Sequence, residues 1–144
     1  MLSQFSYPII CTDKYVQTVN FYEDHFDFAP EFELKDFVIL RRKDYEECYI
    51  AIISSDNQIL PKKYRKPVSG MILNYPTKDV RATYQQMYWE GLNIVSEPAE
   101  APCLRKHFFV EDPNGILIDV ATDIKAPPNG IIDEIRELCS ESVA

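Results

Sequence analysis

Several features that would assign a protein to a membrane, secreted or nucleic-acid-binding class are missing from this chain of 144 residues. No apolar run approaches the roughly 20 residues that a membrane-spanning helix needs. The opening stretch "MLSQFSYPIICTD" lacks the basic start of a secretory signal. Only 15 Lys and Arg residues stand against 23 Asp and Glu residues, so the net charge is −8, which repels phosphate backbones. We therefore expect a cytoplasmic protein that binds neither membranes nor nucleic acid.

Closely spaced metal-binding motifs are missing as well. The chain has only two histidines. Its four cysteines, none of which forms a CxxC pair with another, are Cys11, Cys48, Cys103 and Cys139. Structural zinc sites normally combine Cys and His at short, regular spacings. The cysteine pattern therefore predicts free thiols in a reducing compartment, and neither a zinc site nor a disulfide framework.

The apolar residues divide the chain into two modules that share one element order. In the first module, at about residues 5–53, a strand "SYPIICTD" precedes a helix "KYVQTVNFYEDHF" that Thr12 or Asp13 could cap. Three strands follow the helix: "FAPEFEL", "FVILRR" and "CYIAII". The helical spacing predicts one core-facing side made of Val16, Val19, Tyr22 or Glu23, and Phe26.

A polar, proline-containing connector at residues 54–67 leads to the second module, at about residues 68–122. There the strand "SGMILNY" precedes a helix that Thr77 could cap, and a strand "LNIVSE" precedes a loop "AEAPC". A hairpin over the turn "DPNG" closes the module. The apolar stripe of "IIDEIRELCS" predicts a final helix at about residues 130–140. The expected fold class is α+β: two βαβββ modules form a curved mixed sheet around a cavity, in a single domain over residues 1–144.

Three local signatures accompany this element order. Asp13 is followed by an aromatic pair at residues 21–22, Gly91 leads into "LNIVSEP", and the closing hairpin reads "HFFVEDPNGILIDV". Together they resemble the vicinal oxygen chelate superfamily, which contains glyoxalase I, bleomycin-resistance proteins, fosfomycin-resistance enzymes and extradiol dioxygenases. The resemblance covers residues 5–122 and implies a ligand cavity between the modules and a homodimer.

The resemblance also implies where a metal would bind. In the metal-dependent members, the first and last strands of each half supply one ligand each. The matching positions here are Tyr7, about Ala51, Gly70 (Met71 or Ile72 after a slip) and Asp119. Only Asp119 carries a side chain of the kind that such divalent metals prefer, and Tyr7 would be a second ligand only as a phenolate. The resemblance therefore points to the metal-free, bleomycin-resistance-like branch, with no cofactor and no divalent metal.

Asp119 is the one acid inside a strand of Ile and Val. Strand alternation places it on one face with Leu117 and Ala121, and this face would line the cavity. Because burying a bare carboxylate is costly, we expect a partner: Arg105, Lys106, His107, or a ligand amine or hydroxyl. The alternative is a partly solvated Asp119, or one that pairs with Arg105 only for packing.

The predicted ligand-binding residues are Tyr7, Tyr49, Arg105, His107 and Asp119. Aromatic rings at the cavity would suit a planar organic ligand, and the acidic chain would attract a cationic one. We expect a protein that binds its ligand in a metal-free cavity and acts by sequestration or in another metal-free role, and the sequence identifies no catalytic residue. Two alternatives stay open. One is a glyoxalase-like lyase or dioxygenase, in which His107 or Glu111 joins Asp119 as a metal ligand. The other is a cavity filled by the protein's own side chains.

Overall fold

The computed structural model describes residues 4–101 and 105–122. These residues form nine strands and two α-helices, and a short 3₁₀ helix lies at Lys62–Tyr64 in the connector. The elements in chain order are β1 (Ile9–Thr12), α1 (Tyr15–His25), β2 (Phe28–Leu34), β3 (Phe37–Arg42), β4 (Tyr49–Ser54), β5 (Ile72–Thr77), α2 (Val80–Trp89), β6 (Asn93–Ile94), β7 (Ala99–Ala101), β8 (Arg105–Glu111) and β9 (Leu117–Thr122).

The chain divides into two compact units. The first runs to Met71 and includes Asp112–Ile116, and the second contains Ile72–Glu111 and continues from Leu117. Each unit has its own mixed sheet, and the strand orders are β1-β4-β3-β2 and β5-β9-β8-β6. In both sheets the first strand runs parallel to the last strand, and the remaining neighbours are antiparallel. This shared order confirms the α+β class and the paired modules.

In the first unit, α1 packs against β2 and β4. Its buried side chains are Thr18 and Tyr22, and Phe26, which is buried just after the helix ends, continues the same spacing. Tyr22 and Phe26 agree with the predicted core-facing side. Val16, however, is 68% exposed, so its placement on that side was wrong. The polar Thr18 is buried, and its hydroxyl is satisfied there because it donates a hydrogen bond of 2.7 Å to the carbonyl of Lys14 one turn earlier.

The second unit has one strand more than predicted. The stretch "AEAPC" was expected to be a loop, but Ala99–Ala101 forms β7, antiparallel to the start of β8. The other end of β8 pairs with β6, so β6 and β7 act together as one interrupted edge strand. Ala and Glu are weak strand formers, and the pairing with β8 outweighs that local preference.

Both predicted helix caps were also wrong. Helix α1 begins after Lys14 without a side-chain cap, and α2 is capped by Asp79, which accepts a hydrogen bond of 3.0 Å from the backbone N–H of Ala82. Thr12 and Thr77 end the preceding strands, one turn before each helix. Their hydroxyls instead lie 3.3 Å and 2.8 Å from the hydroxyls of Thr18 and Thr83, each six residues further on. The same Thr–Thr contact therefore joins strand to helix in both units.

The closing turn Asp112–Ile116 belongs to the first unit. Its Asp112 carboxylate is buried, and Oδ2 accepts a hydrogen bond of 2.9 Å from the hydroxyl of Tyr22. Oδ1 accepts two more, of 2.8 Å each, from the backbone N–H groups of Asn114 and Ile116. Gly115 has φ 81°, the left-handed conformation that was expected for it in this turn. Asp112, the acid of "DPNG", is therefore a structural residue that holds the turn against α1.

Several other expectations concern thiols, membranes and the chain end. Cys11 and Cys48 are free, and burial raises the pKa of both thiols. Within the two described ranges, neither helix is long and apolar enough to span a membrane. The helix expected at about 130–140, with Cys139, lies outside the described residues, as does Cys103. The single domain, the cavity between modules and the homodimer stay predictions.

Candidate functional site

The sheet of the second unit has two faces of different chemistry. Helix α2 packs against one of them, where Tyr84 meets the buried Phe108 edge-on at 5.3 Å between ring centroids. Because side chains alternate along a strand, the other face carries the partly exposed residues of β5, β8 and β9. We call this second side the polar face. It includes Asn74, Arg105, His107, Phe109 and Asp119.

Asp119 lies at the centre of the polar face, with 17% of its side chain exposed. Its Oδ1 accepts a hydrogen bond of 2.8 Å from Nδ1 of His107. Its Oδ2 lies 3.6 Å from Nη1 of Arg105, which makes an ion pair. Both carboxylate oxygens therefore have partners from β8, and the acid that the sequence marked as unusual is neither bare nor free.

Arg105 connects three strands of this sheet. From the start of β8 it reaches Asp119 on β9, and its Nη2 donates a hydrogen bond to the amide oxygen of Asn74 on β5. Its Nε is buried and has no hydrogen-bond partner among the described residues. The guanidinium thus neutralises the Asp119 carboxylate, and each terminal nitrogen retains a second N–H.

His107 is held by two contacts. Nδ1 is bound to Asp119, and the ring meets Phe109 edge-on, with 5.0 Å between ring centroids and 71° between the planes. The side chain is 20% exposed. No described residue forms a hydrogen bond with Nε2. This nitrogen is therefore the one polar atom of the imidazole that a ligand could engage.

Asn74 completes the cluster, although it was not among the predicted site residues. The pairing of β5 with β9 places it directly beside Asp119. The first-strand position was predicted at Gly70, Met71 or Ile72, which lies two to four residues too early. A signal was present: Asn74 is a polar residue inside the apolar strand "MILNY", just as Asp119 is in "ILIDV".

The two predicted tyrosines lie together in the first unit. The rings of Tyr7 and Tyr49 are 6.4 Å apart between centroids, and Phe5 stacks on Tyr49 at 5.5 Å with 21° between the planes. All three side chains are partly exposed. The structure therefore groups the five predicted ligand-binding residues as a tyrosine pair in one unit and the Arg105–His107–Asp119 cluster in the other.

The donors do not fit the metal site of the metal-dependent relatives. In the second unit, Asn74 pairs with Asp119 between the two parallel strands. The corresponding pair in the first unit is Ile9 and Ala51, and both of these residues are apolar. In the second unit, the amide oxygen of Asn74 and both oxygens of Asp119 are engaged by Arg105 or His107. Within residues 4–101 and 105–122, no group of three His, Cys, Asp or Glu could hold a metal ion.

Lys106, one of the candidate partners of Asp119, points elsewhere. It lines a cavity of about 440 Å³ at the N-terminal end of α2, together with Lys78 and Arg81. Lys106 alternates with Arg105 and His107 along β8, so its side chain leaves the strand on the opposite face. The cavity therefore contains none of the five predicted ligand-binding residues.

Comparisons with known proteins agree on the family and the fold. Residues 4–120 match the model of the Glyoxalase/Bleomycin resistance protein/Dioxygenase superfamily. None of the curated proteins matches the chain. A virulence protein from Salmonella typhimurium has a similar structure, with a TM-score of 0.68 and 18% identity over 83% of this chain and 96% of that one. For a glyoxalase/bleomycin resistance protein/dioxygenase from Nocardioides, the TM-score is 0.67 and the identity 13%, over 88% of this chain and 87% of that one. For a lactoylglutathione lyase from Agrobacterium tumefaciens, the TM-score is 0.64 and the identity 14%, over 82% of this chain and 92% of that one. At these identities the similar structures establish a shared fold.

Proposed function

Because this chain belongs to the glyoxalase/bleomycin resistance protein/dioxygenase superfamily, we propose that it binds a small organic molecule at the polar face without a metal ion. The observation that carries the proposal is the state of Asp119. Its carboxylate, at the position where the metal-dependent relatives have a ligand, is occupied by Arg105 and His107. A divalent cation would have to displace both and lie beside a guanidinium of like charge, which is unfavourable at such short range.

The chemistry of the cluster suggests the class of ligand. The charges of Arg105 and Asp119 cancel, and the terminal N–H groups of Arg105 and Nε2 of His107 can bind a polar group. Phe109 supplies an aromatic ring beside them. The net charge of −8 then attracts cations over a longer range. We therefore propose a planar organic ligand that carries an acceptor oxygen, and we keep a cationic ligand as the alternative that the net charge favours. Tyr7 and Tyr49 belong to the first unit, and their role as ligand contacts stays a prediction.

Thermal unfolding with two probes tests the proposal. Benzamidine is a planar cation, and 2-hydroxyacetophenone is a planar neutral ketone. A compound that binds only the native state raises its stability, by about 2.7 kcal/mol at 100 times its Kd. We expect 2-hydroxyacetophenone to raise the Tm and Arg105→Ala to remove that effect, because its carbonyl oxygen can accept from Arg105. Benzamidine tests the cationic alternative. Arg81→Ala is the matched control, because Arg81 lines the separate cavity by α2.

Metal analysis of the same protein, purified without chelator, provides an independent test. We expect less than stoichiometric amounts of Mg, Mn, Fe, Ni and Zn. A near-stoichiometric divalent metal that is lost in Asp119→Ala would overturn the metal-free proposal. It would support instead a metal-dependent lyase or dioxygenase with ligands outside the expected positions. No change in Tm with either probe would count against binding at the polar face.

A further inference from the structure

The cavity of about 440 Å³ at the N-terminal end of α2 has a wall made by the sheet of the second unit. Glu100 of β7 lies opposite Lys106 of β8, and the backbone N–H of Lys106 donates a hydrogen bond of 3.2 Å to the hydroxyl of Thr122 on β9. Further along β8, the same face carries Phe108, which is buried against α2. The cavity therefore forms where this row of polar side chains meets the first turn of the helix.

Three cationic side chains line the cavity, and they come from different elements. Lys78 precedes α2, Arg81 lies in its first turn, and Lys106 is on β8. All three are exposed, and among the residues that the structure describes none of them has an ion pair or a side-chain hydrogen bond. The arginines that do pair with a described carboxylate are Arg41, Arg42 and Arg105. The cavity thus gathers positive charge that no direct contact in the described part of the chain neutralises.

Two carboxylates also line the cavity, and they limit this charge without cancelling it. Oδ1 of Asp79 accepts a hydrogen bond of 3.0 Å from the backbone N–H of Ala82 and caps α2, so the helix terminus is already satisfied. Glu100 faces Lys106 across the strand pair, and the two side chains form no ion pair. With three cations against two carboxylates, the lining stays positive in a chain whose net charge is −8.

The lining favours one kind of anion. A phosphate monoester carries close to two negative charges at pH 7 and three terminal oxygens that accept strong hydrogen bonds. The guanidinium of Arg81 can donate two parallel hydrogen bonds to such oxygens, and each lysine offers three donors. A carboxylate brings only one charge and two oxygens to the same three cations. The volume of about 440 Å³ is typical of pockets for small organic molecules. The apolar residues of the lining are Val80, Pro98 and Ala99.

We propose that this cavity binds a small organic molecule through a phosphate monoester group. The phosphate contacts Lys78, Arg81 and Lys106, and the organic part lies against the apolar residues of the lining. Because salt screens charges beyond about 8–10 Å, these three nearby cations outweigh the acidic remainder of the chain at the site. The cavity lies on the opposite face of β8 from Arg105 and His107, so the inference is independent of the proposed function.

Equilibrium dialysis at low salt with phenyl phosphate, inorganic phosphate and benzoate tests the class of ligand. Phenyl phosphate should bind at least about tenfold more tightly than inorganic phosphate, which lacks an apolar part to bury. It should exceed benzoate by a similar factor, because benzoate lacks the third oxygen and the second charge. Equal affinity for benzoate, equal affinity for inorganic phosphate, or no binding of phenyl phosphate would each overturn the inference.

A double variant locates the binding. Lys78→Ala with Arg81→Ala should weaken phenyl phosphate binding at least about tenfold, the loss expected when hydrogen bonds to a charged group are removed. Lys62→Ala with Lys63→Ala is the matched control, because it removes the same charge from two exposed lysines of the connector, and it should change the affinity by about threefold or less. Equal weakening in both would show that net charge alone attracts the phosphate and would overturn the inference. A circular dichroism melt confirms folding, and Lys106→Gln provides the test if the double variant does not fold.

Glu100→Gln tests the charge of the cavity with a change in the opposite direction. The Glu100 carboxylate repels a phosphate bound within the same lining. Its neutralisation should therefore tighten phenyl phosphate binding about two- to fivefold, the usual range for one exposed pair of charges. Unchanged or weaker binding would place the phosphate away from Glu100 and overturn the inference.

Discussion

His107 and Asp119 are diagonal neighbours on antiparallel strands. The residue opposite His107 is Ala121, and the residue opposite Asp119 is Phe109, yet the two side chains meet at 2.8 Å. Diagonal side chains on one face of an antiparallel pair are within reach of each other. The small Ala121 leaves room for the imidazole to turn towards the carboxylate. This contact is the basis of the first two predictions.

The first prediction concerns the tautomer of His107. Because Nδ1 donates to Asp119, nitrogen NMR of the protein in its neutral-imidazole form should show Nδ1 protonated and Nε2 unprotonated. Asp119→Asn should allow the reverse arrangement, since an amide can donate as well as accept. A wild-type His107 with its proton on Nε2 would contradict the hydrogen bond from Nδ1 to Asp119.

The second prediction concerns the stability contributed by Asp119. Asp119→Ala leaves Arg105 and His107 without their shared acceptor, and the free energy of unfolding should fall by about 1–3 kcal/mol. Urea unfolding measures this difference. Glu111→Ala is the control, because Glu111 lies on the same strand as His107 and should change stability by about 0.5 kcal/mol or less. Equal effects of the two substitutions would show that the cluster adds no stability.

The third prediction concerns the closing turn. Asp112 is 5% exposed and accepts hydrogen bonds from Tyr22, Asn114 and Ile116. Asp112→Ala leaves these donors unsatisfied, so the free energy of unfolding should fall by at least about 3 kcal/mol. The exposed Asp13 is a matched control, and Asp13→Ala should cost no more than about 0.5 kcal/mol. If Asp112→Ala lowers the free energy of unfolding only slightly, water accepts the hydrogen bonds that the carboxylate accepts in the wild type.

The fourth prediction follows from the environment of Tyr22. Burial, together with the neighbouring Asp112 charge and the hydrogen bond to it, raises the pKa of Tyr22 above its usual value of 10.0. A raised pKa in the folded protein stabilises it below pH 10, and this contribution is lost as the pH rises further, because only the unfolded chain then releases the proton. The free energy of unfolding, measured with urea between pH 8 and 11, should therefore decline above pH 10.

Tyr22→Phe isolates this effect. The variant should be less stable at pH 8 by about 0.5–1.5 kcal/mol, the usual contribution of one hydrogen bond, and its decline above pH 10 should be shallower than that of the wild type. The exposed Tyr88→Phe is the control and should follow the wild-type curve. If Tyr22→Phe declines as steeply as the wild type, the alkaline loss comes from other groups, such as Tyr15, Cys11 and Cys48, whose pKa values burial also raises.

The sequence alone determined the features that depend on neighbouring residues. The spacing of apolar residues predicted both helices, the duplicated order of strands and the hairpin, because helices and strands have short, fixed periods. "DPNG" predicted a turn with Gly115 in the left-handed conformation, which only local backbone geometry requires. Asp119 was recognisable because a carboxylate among Ile and Val breaks the pattern of its strand. These features account for the family and for most of the fold.

Only the tertiary structure decided which residues meet. Asn74 lies beside Asp119 because of the register between β5 and β9, and that register joins residues 45 positions apart in a way that no local pattern encodes. The same holds for the choice of Arg105 and His107 over Lys106 as partners, and for β7, whose Ala and Glu residues form a strand only because β8 offers them hydrogen bonds. Local periodicity specifies the elements, whereas the pairing between strands assembles the site, because hydrogen-bond register and packing are settled between distant parts of the chain.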